Sequence, residues 1–305
     1  MHRMTGMSSY ASAKKWQLGR LLIVVAASAA LGAGCSGDDD DDESPPEPDA
    51  APRPACAMEV VASGLDKPFG ILIDGEDFIV SADGVILAVT AAGESSVVAT
   101  VSRESFAGLT RRGEDVIGMD NRVRNVIRFT PGTWQSTVIA TEVGAGVSIE
   151  TDGDDYILSD YNDAMNLDNN RLVRVKPDGS SQVIAGIGLG GPAGIMVDAD
   201  GYIVSDYDGG RLLRVTREGE ISVLLDGLGS PVEFKMYDGR YYIADYVRGS
   251  SSGRILEASA DFSETRSLPV ASLGSPSGLV IDGRDIYTTD LTGGRLLRLT
   301  NCLSE

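Results

Sequence analysis

The 305-residue chain has one histidine, His2, and it lies in a segment that export would remove. A mature chain without histidine has no Ser-His-Asp triad, no imidazole general base and no histidine metal ligand. Cysteine is nearly as scarce, with Cys35, Cys56 and Cys302 the three present. Long apolar runs are missing too. The run at 21–33 covers 13 residues, short of the roughly 20 that a spanning helix needs. No stretch keeps a helical period. Positive charge is also short: 26 Lys and Arg stand against 45 Asp and Glu, a net charge of −19. Residues 56–305 contribute 21 and 37 of these, net −16. Such a surface repels phosphate backbones and anionic headgroups, which argues against a nucleic-acid partner and leaves a lipid as the route to a membrane.

What is present at the start is a basic segment (Arg3, Lys14, Lys15, Arg20) followed by the apolar run. That order reads as a signal peptide over 1–34. The run ends in "LGAGC", which resembles a bacterial lipobox, with Cys35 lipidated and made the new N-terminus. Gly32 stands where a large apolar residue is usual, so plain secretory cleavage nearby is the alternative. Residues 35–55 hold "SGDDDDDESPPEPDAAPRP", a block of like charge followed by five prolines. The segment has nothing to bury and reads as an extended tether. The expected location is the bacterial cell envelope, lipid-anchored at the outer membrane on its periplasmic or surface face.

The remainder, 56–305, repeats. "SDYDGGRLLRV" (205–215) returns as "TDLTGGRLLRL" (289–299), 84 residues later, which implies two copies of a unit of about 42. Six copies align on Gly70, Gly108, Gly146, Gly194, Glu233 and Gly278, at separations of 38, 38, 48, 39 and 45. Each contains four short runs rich in Val, Ile, Leu and Tyr, bounded by Gly and Asp turns. Four-stranded units at this period are propeller blades, so the expected fold is all-β, a six-bladed β-propeller. The sixth copy stops after its third run, while "CAMEVVASGL" at 56–65 matches the fourth run of copy four, "GEISVLLDGL". The N-terminal strand should therefore complete the last blade. That alignment places Cys56 beside Cys302 at one hairpin tip, as a disulfide in an oxidising compartment, with two free buried thiols as the alternative. With Cys35 lipidated and the other two paired, no thiol nucleophile remains.

Six aspartates close the second run of the copies: Asp83, Asp120, Asp160, Asp206, Asp245 and Asp290. A residue needed once per blade is a turn device, accepting hydrogen bonds from the backbone of the next corner. The text "PAGIMVDADGYIVSDYDGGRLLRV" (192–215) resembles the NHL-type repeat and the gluconolactonase/senescence-marker-protein superfamily. The resemblance covers 57–302 and is specific for fold. It implies a divalent cation such as Ca2+, held by oxygen ligands where the first strands begin. The matching positions here are Phe69, Ala107, Ala145, Ala193, Val232 and Ser277, a poor ligand set. The virginiamycin-lyase relatives rely on histidine, which the mature chain lacks.

Three features remain as candidate sites. Glu233 replaces the glycine of the other copies and is the candidate catalytic base, with a salt bridge to Lys235 or to Arg111/Arg112 as the alternative. Copy three has a long corner, 160–171, in which Asp160, Asn162, Asp163 and Asp168 are candidate Ca2+ ligands. Tyr161, Tyr207 and Tyr246 each follow a corner aspartate and are candidate ligand-binding residues, with packing between corners as the alternative. The first functional expectation is a membrane-tethered, monomeric binding module for a small molecule, glycan or protein, with Ca2+ as the one candidate cofactor. The second is a divalent-cation-dependent hydrolase of lactones or sugar acids.

Overall fold

The computed structural model describes residues 56–102, 108–161, 169–247 and 252–303. Its strands form six four-stranded antiparallel sheets. Blade one holds β2 (Ile71–Asp74), β3 (Asp77–Ala82), β4 (Val85–Val89) and β5 (Ser95–Thr100). Blade two holds β6 (Leu109–Arg112), β7 (Asp115–Asp120), β8 (Asn125–Thr130) and β9 (Gln135–Ala140). Blade three comprises β10 (Gly146–Asp152), β11 (Asp155–Asp160), β12 (Arg171–Val175) and β13 (Ser181–Ala185). Blade four comprises β14 (Pro192–Asp198), β15 (Gly201–Asp206), β16 (Arg211–Val215) and β17 (Ile221–Leu225). In blade five run β18 (Ser230–Tyr237), β19 (Arg240–Tyr246), β20 (Gly253–Ser259) and β21 (Thr265–Ser267). In blade six, β22 (Pro276–Asp282), β23 (Asp285–Asp290) and β24 (Arg295–Thr300) are completed by β1 (Ala57–Ser63) from the N-terminus. The six-bladed propeller and its closure agree with the repeat count. No helix among the described residues is long and apolar enough to cross a membrane.

Burial explains why second and third strands read as near-continuous apolar runs. "GYIVSD" of β15 is buried at every position, because each blade is packed on both faces. Fourth strands lie at the outer edge and are largely exposed, and those of five blades expose a valine, at Val60, Val97, Val138, Val183 and Val223. The core is six apolar clusters, each spanning one blade–blade interface. The cluster of Ile117, Met119, Ile149 and Leu158 joins blades two and three, and that of Leu279, Leu297, Tyr242 and Ile255 joins five and six. The cluster of Val80, Val89, Leu296 and Leu65 closes the ring between six and one.

Closure is also covalent. Cys56 and Cys302 form a disulfide with Cα atoms 4.6 Å apart, 246 residues apart in sequence. β1 pairs with β24 from Ala57 opposite Thr300 to Ser63 opposite Arg295, with a bulge between Val60 and Ala62.

The repeated corner has a physical reading. In blade four the Asp206 side chain is fully buried. Its Oδ1 accepts from the Gly191 N–H (2.6 Å) and its Oδ2 from Arg211 Nε (2.8 Å). Blade six repeats this with Asp290, Ser275 N–H (2.9 Å) and Arg295 Nε (2.9 Å). Gly210 and Gly294 take φ of +64°. A Cβ on Gly209 or Gly293 would run into the aspartate itself. Hence "DYDGGR" and "DLTGGR" are one device: a buried carboxylate, two glycines and the arginine that neutralises it.

Blade one departs from this pattern. Register places Ala82, opposite Val85, at the corner position, and Asp83 lies one residue beyond, bound to Lys67 at 3.1 Å. Five corner aspartates are therefore equivalent, not six.

Candidate functional site

The site is built where first strands begin and second-to-third-strand corners open. The innermost strands approach one another so closely there that side chains must be small. A Cβ on Gly194 would lie 2.5 Å from the carbonyl oxygen of Val232 in the next blade. The inner edge is tied by hydroxyls. Ser205 Oγ donates to Val232 O (2.5 Å), and Thr289 Oγ1 donates to Phe69 O (2.6 Å). The same hydroxyls accept from the Gly194 N–H (2.7 Å) and the Gly278 N–H (2.8 Å). In this way otherwise unpaired backbone groups of the innermost strands are satisfied, and the side chains of Phe69, Ala193, Val232 and Ser277 are fixed around the channel mouth.

Blade three corrects the alignment made from sequence. The Ser148 N–H donates to Ser159 Oγ (2.8 Å), as the Gly70 N–H does to Ser81 Oγ (2.8 Å). Ser148, not Gly146, is therefore the equivalent of Gly194, and Val147 rather than Ala145 is the mouth position. A repeat without its marker glycine leaves the offset of two invisible in the text. Both Ala145 and Val147 face the cavity.

Above this ring lies a cavity of about 760 Å³. Its floor and walls include Phe69, Ala193, Val232, Pro192 and Pro276. The first corner residues of blades two to six, Asn121, Tyr161, Tyr207, Tyr246 and Leu291, also line it. The three tyrosines thus occupy consecutive blades, three to five, on one side of a single cavity, each half-buried. Tyr161 is oriented by its hydroxyl, which donates to Asp208 Oδ2 at 2.8 Å. Blade six places Ser275, Ser277, Leu291 and Thr292 on another side.

Glu233 lies one residue below the cavity's wall and is not part of it. Its Oε1 accepts from Lys235 Nζ at 3.3 Å and from the Phe234 N–H at 3.0 Å. Lys235 reaches across to Glu150 of blade three at 3.6 Å, and Glu150 accepts from Thr110 Oγ1 of blade two at 3.1 Å. Burial pushes the Glu233 carboxyl above the usual carboxylate range; Lys235 pulls it back in part, and Glu150 adds to the rise. Burial alone would lower the Lys235 ammonium, but Glu233 and Glu150 outweigh it and raise it. Arg111 turns instead to Asp74 (2.6 Å) and Arg112 to Asp154 (2.6 Å). Glu233 is thus one member of an ion cluster spanning the channel.

Of the Ca2+ candidates, Asn162, Asp163 and Asp168 lie outside the described residues, as does the lipidation candidate Cys35. Asp160 is fully buried with both oxygens engaged. Oδ1 accepts from the Ala145 N–H (2.7 Å) and Oδ2 from Arg171 Nε (2.9 Å). It serves the corner as Asp206 does, in the turn role that its recurrence once per blade implies. Among the described residues no group of three His, Cys, Asp or Glu is placed to hold a metal ion. The mouth positions facing the cavity carry no carboxylate, so the oxygen set that the resemblance implies does not fit here.

No family model and no curated protein sequence matches the chain. Solved structures do. They include a gluconolactonase from Xanthomonas campestris, at 14% identity over 80% of this chain and 89% of that one, with a TM-score of 0.63. Virginiamycin B lyase from Staphylococcus aureus matches at 14% identity over 80% and 99%, TM-score 0.59. The PQQ-bound aldose sugar dehydrogenase from Streptomyces coelicolor matches at 17% over 82% and 99%, TM-score 0.62. At such identities the likeness is one of fold, and the chain is a six-bladed β-propeller of the architecture these enzymes share.

Proposed function

We propose that this protein is a binding propeller that holds a small molecule in the cavity at its channel mouth, exported and tethered to the cell envelope through Cys35. The observation that carries the reading is the cavity itself. It is of a size that encloses a drug-sized ligand, and it is walled by Phe69, three tyrosines, Val232 and Leu291. Aromatic walls of this kind gain from apolar burial and from ring stacking, and the Tyr161 hydroxyl stays paired with Asp208. The second reading, a cation-dependent lactone hydrolase, draws support from fold likeness to a gluconolactonase. It lacks the ligand set among the described residues, and its candidate base Glu233 is committed to Lys235.

The test uses the neutral fluorophore N-phenyl-1-naphthylamine as probe. The protein should bind it saturably at one site. Replacing Tyr207 and Tyr246 together by alanine should weaken binding about tenfold or more, since each ring is worth roughly 1 kcal/mol beyond its area. Non-saturable binding, or affinity indifferent to both tyrosines, would remove the reading.

A further inference from the structure

The cavity wall is not uniform, and its asymmetry specifies a class of ligand. Blades three, four and five contribute the aromatic arc of Tyr161, Tyr207 and Tyr246. The facing arc, from blades six, one and two, sets hydrogen-bond donors among the apolar Phe69, Pro276 and Leu291. Ser275 Oγ and Thr292 Oγ1 lie 3.0 Å apart, and whichever hydroxyl donates to the other, one hydrogen remains to offer. Blade two adds the Asn121 amide and the Arg122 guanidinium.

Charge sharpens the contrast. Among the described residues that line the cavity there is no Asp, Glu or Lys, and Arg122 is the single charged one, in a domain whose net charge is −16. A site selected for amines would place a carboxylate in its wall; here the described wall carries Arg122, and Asp208 behind it accepts from the Tyr161 hydroxyl. Arg122 has interactions of its own within the fold, and the five N–H donors of a guanidinium serve more than one acceptor.

We propose that the cavity selects an amphipathic organic anion, with a ring-shaped apolar body against the tyrosine arc and a carboxylate-like group at Arg122. This rests on the cavity being a ligand site at all. The opposed class is a cationic ring ligand, held by the tyrosine faces alone through cation–π attraction. The protein's overall charge favours that class at long range, so a preference for anions must come from the cavity's own wall.

Three aromatic fluorophores separate these outcomes in equilibrium titrations on the purified protein: anionic 8-anilinonaphthalene-1-sulfonate, neutral N-phenyl-1-naphthylamine and cationic thioflavin T. The anionic probe should bind about tenfold tighter than the neutral one, as a charge-assisted contact adds. Arg122→Gln should abolish that preference, bringing the anionic probe's affinity down to that of the neutral one, while Arg122→Lys should retain part of it. Circular dichroism melts of each variant establish that it is folded. Equal binding of the anionic and neutral probes, a preference that survives Arg122→Gln, or tightest binding of thioflavin T would overturn the anion assignment while leaving a binding cavity. Failure of all three probes to saturate would overturn the binding reading, and the anion assignment with it.

Discussion

At the scale of single residues, most of the repeated chemistry holds the fold. Asp206 is the clearest case, since its carboxylate neutralises Arg211 and closes the corner through the N–H groups of Gly191 and Gly209. Asp206→Ala would strand two backbone donors. Arg211 keeps some contact with solvent, with 30% of its side chain exposed, so its charge can rehydrate in part. The expected loss is about 2–3 kcal/mol, below the full cost of orphaning a buried ion, read from guanidinium midpoints at constant slope. Glu233 is different, because burial raises its pKa. A carboxyl whose folded value lies above its unfolded value of 4.5 contributes most below that pH and loses its contribution as pH rises through the folded value. Glu233→Gln should therefore gain stability relative to the parent between acid and neutral pH, with Glu150 still facing Lys235. Urea melts across that range check the sign; a variant whose stability falls relative to the parent as pH rises would refute it.

Elements show what could be read in advance and what could not. Blade number and the completing strand β1 were legible because glycine, aspartate and arginine recur at blade spacing where backbones approach and corners turn. The disulfide was legible from the same alignment. The start of blade three was not, because Ser148 replaces the glycine and the two-residue offset lies in the backbone register. The corner role of Asp160, fully buried, was legible from its recurrence at blade spacing. The tyrosines gave a signal, each following a corner aspartate, but their sharing of one cavity depends on how blades three to five turn around the axis. Closure makes its own prediction at this scale. Reducing Cys56–Cys302 frees the covalent tie across 246 residues, and the expected cost is about 2–5 kcal/mol. Guanidinium midpoints with and without dithiothreitol measure it, and Cys56→Ala/Cys302→Ala should match the reduced parent. No loss on reduction would mean that the pairing of β1 with β24 alone carries the closure.

For the whole molecule, the propeller builds a rigid ring whose two polar layers have different tasks. The ion cluster of Glu150, Glu233 and Lys235 links blades three and five, and the cavity at the mouth gathers its donors opposite the tyrosines. A divalent cation at the channel mouth would need oxygen ligands, and the described mouth positions Phe69, Val147, Ala193 and Val232 offer apolar side chains instead. The most direct measurement is a titration of the purified protein with N-phenyl-1-naphthylamine in excess EDTA and again in millimolar calcium, with lactone hydrolysis followed in parallel. One saturable site of equal affinity in both buffers, without hydrolysis, is the result this account predicts. Binding that requires calcium, or hydrolysis of glucono-δ-lactone that appears with it, would contradict the account.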